Sequence, residues 1–123
     1  MTTNSSEPGE QLDRVSLLNR VEGDQELIAE MIALFVDDVP RLMDTMRIAL
    51  QQGDMIVLER SAHSLKGAAS NLSANLTSAA AFQLEKNAKN RDVEASKASL
   101  TNLEAAVERL LPLLADLCQG VAK

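Results

Sequence analysis

Apolar residues in this chain recur in steps of three and four along almost its whole length, and that spacing constrains the fold more than any other feature. Leu100, Leu103, Val107, Leu110, Leu114 and Leu117 keep a near-heptad spacing. An α-helix of 3.6 residues per turn gathers such positions on one face. Leu58, Ala62, Leu65, Ala69 and Leu72 make a second stripe, and Leu76, Ala80, Leu84 and Ala88 a third. A longer pattern runs through Leu27, Ile28, Met31, Leu34, Phe35, Val39, Leu42, Met46, Ala49 and Leu50. Pro40 interrupts it, so a kink or break near 37–39 is expected, with the acidic pair Asp37-Asp38 as a solvated helix end. None of these stripes can be buried by its own helix. They must bury one another.

The punctuation between the stripes agrees with this reading. Gly23-Asp24, Gly53-Asp54 and Asn90-Arg91-Asp92 each look like the end of one helix followed by the cap of the next. A short first helix is expected over Leu12–Val21, with Leu12, Val15, Leu18 and Val21 on its inner face. The later helices are expected over about 54–71, 76–89 and from Val93 onward, the last bent slightly at Pro112. With no Trp, no Tyr and two Phe, the chain has little of what strands favour. An all-α fold follows, and short connections make it an antiparallel bundle. Residues 1–10 read as a flexible lead, 11–119 as the bundle domain and 120–123 as a C-terminal tail.

The net charge of −6 and pI near 4.7 exclude nucleic acid as a natural partner, because binding it requires neutralising phosphates. No apolar run approaches the roughly 20 residues of a membrane span, and 1–10 lacks the apolar region of a signal peptide. The single cysteine, Cys118, has no internal partner. A cytoplasmic protein is expected, and the Asn-x-Ser/Thr matches at Asn4, Asn71 and Asn75 are then chance. Since all stripes can be satisfied within one bundle, a monomer is expected.

The chemistry concentrates around His63, the only histidine. It lies one position past Ala62 of the third helix's stripe, so it should reach the bundle surface. Its helical neighbours at three and four residues are Glu59, Arg60, Lys66 and Gly67. An imidazole nitrogen is a good nucleophile near neutral pH, and Lys66 offers positive charge one turn away. Gly67 lies on the same face with no Cβ. Glycine inside a helix costs about 1 kcal/mol relative to alanine, and close approach by a partner is a reason to keep it.

The run His63-Ser64-Leu65-Lys66-Gly67-Ala68-Ala69 resembles the signature of histidine phosphotransfer (HPt) domains. The similarity extends over about residues 12–118, through Phe35, Pro40 and Leu42 upstream and Leu72, Ala74, Leu76, Leu84 and Glu85 downstream. It implies an up-down antiparallel four-helix bundle with an additional short N-terminal helix, and a phosphoryl carrier without catalytic activity of its own. It also implies that His63 accepts a phosphoryl group from the aspartyl phosphate of one receiver domain and passes it to another. The partners implied are receiver domains of response regulators and of a hybrid sensor histidine kinase. Mg²⁺ is expected on the receiver, with no cofactor and no metal held by this chain. Carried over by position, Lys66 stabilises the phosphoryl group, Gly67 gives the partner access and Glu85 orients the histidine through Nδ1. The docking surface is expected among Met55, Ile56, Glu59, Ala68, Ser70 and Phe82, although Phe82 fits the core equally well. Ser73 stands where the family commonly has glycine, so an unusual backbone conformation is expected there or at Asn71.

Three rival readings can be weighed. A di-iron carboxylate bundle needs two Glu-x-x-His motifs, and this chain has one histidine with Glu59 four residues before it. A purely structural bundle leaves Lys66-Gly67 beside His63 as coincidence. The phosphoacceptor module of a chemotaxis-type kinase would take phosphate from an ATP-binding domain, and no signature of one occurs in the chain.

Overall fold

The computed structural model describes residues 11–122, with side chains through Cys118. The proposed lead over 1–10 lies outside the described residues. Five helices follow one another: α1 (Arg14–Arg20), α2 (Gln25–Gln52), α3 (Met55–Asn71), α4 (Asn75–Lys89) and α5 (Val93–Ala122). No strand occurs among the described residues. Helices α2 to α5 close a ring in which α2 packs on α3, α3 on α4, α4 on α5 and α5 back on α2. This is the expected up-down bundle, with α1 lying beside the α3–α4 turn. Helix α5 continues to Ala122, past the boundary at 119.

Local chemistry sets each helix's limits. Asp13, Asp24, Asp54 and Asp92 accept from the backbone N–H groups of Ser16, Leu27, Val57 and Ala95, three residues on, at 3.0–3.1 Å. At the other ends, Gly23 N–H donates to Leu18 C=O, Asp54 to Ala49, Ala74 to Ala69 and Asp92 to Asn87. These six-to-one bonds are Schellman closures, each with a left-handed residue before the donor. Those residues are Glu22 (φ 54°), Gly53 (φ 72°), Ser73 (φ 55°) and Arg91 (φ 61°). The unusual conformation expected at Asn71 or Ser73 therefore falls on Ser73.

Helix α4 differs because Ala74 at its N-cap has no side chain to offer. Gln11 supplies the cap from far along the chain. Its Oε1 accepts from Thr77 N–H at 3.1 Å and from Thr77 Oγ1 at 2.9 Å, while its Nε2 donates to Ala106 C=O of α5 at 3.0 Å. Asp13 N–H donates to Ser73 C=O at 2.9 Å, and Ser73 Oγ donates to Ser16 Oγ at 3.1 Å. The α3–α4 turn is thus tied to α1 and α5.

The core is aliphatic, with Ile28, Met46, Leu58, Leu65, Leu84, Leu103, Leu110 and Leu114 fully enclosed. The helical phase differs from expectation in places. In α1 the buried set is Leu12, Leu17 and Val21, and Val15 and Leu18 face solvent. Leu12 precedes the Asp13 cap, so the helical count starts at Arg14 and brings Leu17 and Val21 together instead. In α2, Ile28, Ile32, Phe35, Val39, Met43, Met46 and Ala49 point inward and Leu27 and Leu34 outward. In α4, Thr77 and Ala81 take the places expected for Leu76 and Ala80, and in α5 Ser96 is buried while Val93 is exposed.

No break occurs at Pro40. Helix α2 runs through it, with Pro40 and Val36 both on the exposed side. The Val36 carbonyl that loses its helical donor there can bond to water. Asp37 and Asp38 are therefore mid-helix residues, paired with Arg41 one turn on rather than ending a helix.

Candidate functional site

Helix α3 buries Met55, Leu58, Ser61, Ala62, Leu65 and Ala69. That face turns His63 to the edge facing α4, where its side chain is 65% exposed. The two helices run antiparallel, so residues pair across them with one number rising as the other falls. His63 meets Glu85, Lys66 meets Phe82, and Ser70 meets Ser78. The steps of three and four on each side keep all three pairs on one seam. The fold, rather than the spacing within α3 alone, thus assembles the site.

His63 Nδ1 lies 2.9 Å from Glu85 Oε2, and Lys66 Nζ lies 3.0 Å from Glu85 Oε1. The lysine contact is a charge pair off the ideal hydrogen-bond direction, since Oε1 has no well-aligned donor. Glu85 is largely covered, and that burial pushes its carboxyl upward. Lys66 and His63, by bonding and by charge, outweigh the burial and hold the carboxyl below its ordinary range. Near neutral pH Glu85 is therefore an ionised acceptor. An ionised carboxylate has no proton to give, so the bond requires Nδ1 to carry a proton, and in the neutral imidazole the lone pair is then on Nε2. A covered carboxylate, an exposed imidazole and an adjacent ammonium can support nucleophilic attack at Nε2 while stabilising charge on the ring.

Gly67 follows in the same helix with ordinary helical backbone, and a Cβ built on it meets no atom within 4 Å. Packing within the protein does not require glycine there. Of the residues expected on the docking surface, Ile56, Ser70 and Phe82 are exposed, and Glu59 and Ala68 are half-buried. Met55 is buried, at 6% exposure, because the first residue of α3 points into the core. It drops out of the surface. Phe82 is 47% exposed and belongs to the surface rather than the core.

The structure adds residues that the sequence did not indicate. A cleft of about 460 Å³ between α2 and α3 is lined by Phe35, Asp38, Val39, Arg41, Leu42, Thr45, Ser64 and Ala68. It lies on the α2 side of α3, whereas His63 faces α4. Which side of α2 faces α3 depends on bundle packing, so Asp38, Arg41 and Thr45 carried no signal in the sequence. Across the seam, Lys66 and Lys86 lie over the Phe82 ring at 5.0 and 5.3 Å from its centroid.

Comparison with known proteins identifies the family. The family model of the Hpt domain matches residues 30–119. The chain belongs to the Hpt domain family. Membership carries a phosphotransfer role in a phosphorelay. A curated relative, histidine-containing phosphotransfer protein 5 of Arabidopsis thaliana, is 36% identical over 56 residues, covering 43% of this chain and 36% of that protein. The match thus spans about a third of that relative's length. The solved structure of histidine-containing phosphotransfer protein B from Pseudomonas aeruginosa PAO1 superposes with a TM-score of 0.84 at 26% identity, covering 91% of this chain and 97% of that one. The maize histidine-containing phosphotransfer protein ZmHP2 shares the fold, with a TM-score of 0.74 at 19% identity over 92% of this chain and 83% of that one. Among the described residues no helix is long and apolar enough to cross a membrane.

Proposed function

We propose that this Hpt domain relays a phosphoryl group between receiver-domain aspartates through Nε2 of His63, as a monomeric carrier in the cytoplasm with no catalytic activity of its own. The observation that carries this reading is the bond between His63 Nδ1 and Glu85. It selects the tautomer of the neutral imidazole whose lone pair is on Nε2, on an exposed ring held by rigid helices. In the forward step the Nε2 lone pair forms the N–P bond as the P–O bond to the receiver aspartate breaks, and the aspartate departs as a carboxylate. The ring becomes a cation as the new bond forms. Glu85 stabilises that charge through Nδ1–H, and Lys66 supplies a cation for the phosphoryl oxygens. Transfer to a second receiver reverses the same bonds.

Gly67 and the exposed small side chains around it leave room for a receiver to bring its aspartate to the ring. Ile56, Ala68, Ser70 and Phe82 provide contact surface, with Glu59 at its edge. The partners in this reading are the receiver domains of a hybrid sensor histidine kinase and of response regulators. Mg²⁺ belongs to the receiver and supplies charge neutralisation at the aspartyl phosphate.

The test uses a phosphorylated receiver domain as donor and this chain as acceptor. Wild type is expected to take up label that is acid-labile and stable to base, as a phosphoramidate is. His63→Gln is expected to take up none. Equal labelling of the two proteins overturns the proposal.

A further inference from the structure

Phe82 is an exposed aromatic residue in a chain with almost none, and the seam between α3 and α4 gives it a specific neighbour. It lies one turn before Glu85 on α4, while Lys66 lies one turn after His63 on α3. The Lys66 ammonium therefore has two partners across the seam, the Glu85 carboxylate at 3.0 Å and the Phe82 ring at 5.0 Å. Its side chain is only 27% exposed, although a lysine on a bundle surface normally extends into water. We propose that Phe82 is a positioning residue for phosphoryl transfer, its ring face forming the floor that holds the Lys66 ammonium against Glu85 and beside His63. This rests on the reading of His63, Glu85 and Lys66 given above.

The argument is electrostatic and steric together. The face of an aromatic ring attracts an ammonium within about 6 Å of its centroid. A lysine stem has four rotatable bonds, and an ion pair with one carboxylate oxygen at a surface leaves it free to swing away. A ring on the opposite flank removes that freedom and keeps the cation close to where phosphoryl oxygens on Nε2 would lie. Lys86 occupies the same ring at 5.3 Å. It follows Glu85 directly in α4, so the ring is shared by one ammonium committed to the site and one facing solvent. An aliphatic residue of similar size would cover the same area without attracting either.

Phe82 is also exposed enough to touch a receiver, so a loss of transfer alone would not separate positioning from docking. The deciding measurement is made on the free protein, by following the Glu85 side-chain carboxyl with pH by NMR. The charged groups bearing on Glu85 are His63 and Lys66 from α3; Lys86 and Lys89 follow it in the last turn of α4. Lys66 is among the influences that hold the Glu85 carboxyl low. Freeing it should raise the midpoint. Phe82→Leu is expected to raise the Glu85 midpoint by about half a pH unit, Lys66→Met by more, and Phe82→Trp is expected to keep it at or below the wild-type value.

If Lys66→Met raises the midpoint and Phe82→Leu leaves it unchanged, the lysine holds its place without the ring and the proposal is overturned, even if transfer to the variant slows. If Lys66→Met itself has no effect, the failure lies in the Lys66–Glu85 pairing and hence in the reading of the site. A raised midpoint in Phe82→Leu that is restored by Phe82→Trp supports the ring as the positioning element.

Discussion

Replacing Gly67 by alanine should make the protein more stable and a poorer phosphoryl acceptor at the same time. Gly67 has ordinary helical backbone inside α3, and the added methyl would meet no atom within 4 Å. Only the helix propensity and the chain entropy of the unfolded state then change, and both favour alanine, by up to about 1 kcal/mol. For a domain of this size that corresponds to a rise in Tm of about 3–6 °C. The functional effect has the opposite sign. If a receiver packs directly on the α3 backbone beside His63, a methyl there must be accommodated at a close-packed contact, at a penalty of about 1–3 kcal/mol. Each 1.36 kcal/mol is a factor of ten, so transfer at subsaturating receiver should slow by roughly fivefold to 150-fold. Thermal or urea unfolding gives the first quantity and rapid-quench transfer from a phosphorylated receiver the second. Labelling by a small donor such as phosphoramidate should change little, since it needs no backbone clearance. A destabilised Gly67→Ala would mean that the glycine serves the fold, and a stabilised variant with undiminished transfer would refute close approach by the partner.

Other consequences can be checked independently. Glu85→Gln keeps the shape of the His63 partner but removes its charge, and transfer should slow on the order of tenfold in rapid-quench assays, as expected for loss of a charge-assisted bond. Because the Glu85 carboxyl is held below the ordinary glutamate value of 4.5, its contribution to stability should be fully present above about pH 4.5. It should be lost as pH falls through the lowered folded value. The unfolding free-energy difference between wild type and Glu85→Gln should therefore shrink below that pH; a constant difference down to pH 2 would contradict the charge pairing. Gln11→Ala removes the amide that caps α4 and should lower the unfolding free energy by about 2 kcal/mol, read from the urea midpoint at constant m-value. Arg91→Gly relieves a left-handed residue and should raise stability by about 1 kcal/mol in the same assay.

The helices, their order and the caps at Asp24, Asp54 and Asp92 were legible because periodicity and capping are local, whereas the cap at Asp13 was missed. The phase within helices was less so. In α1, Leu12 before Asp13 with Val15, Leu18 and Val21 after it gave a plausible stripe, and only the true cap position decides which of Leu17 and Leu18 turns inward. In α2, a run as dense as Leu34-Phe35-Val36 fits more than one face. Only the packing of α3 and α5 against it selects Phe35. Pro40 looked like a break because its local effect is large, yet it lies on the solvent side, where the freed carbonyl remains accessible to water. His63, Lys66 and Gly67 were visible as neighbours on one helix, and Glu85 came from resemblance. The Lys66–Phe82 contact depends on the antiparallel register of α3 and α4. That register is fixed by a turn whose left-handed residue is Ser73 rather than glycine, so the turn gave little signal.

The amide of Gln11 bears on where this domain should be cut when it is expressed or fused. The family match begins at residue 30, yet the first turn of α4 takes its cap from residue 11. A fragment trimmed to the matched region would retain every residue of the phosphotransfer site. It would also leave Thr77 N–H and Oγ1 without their acceptor, at the turn that sets α4 against α3. A fragment meant to keep that register should therefore include Gln11, and residues outside the matched region are part of what aligns Glu85 with His63.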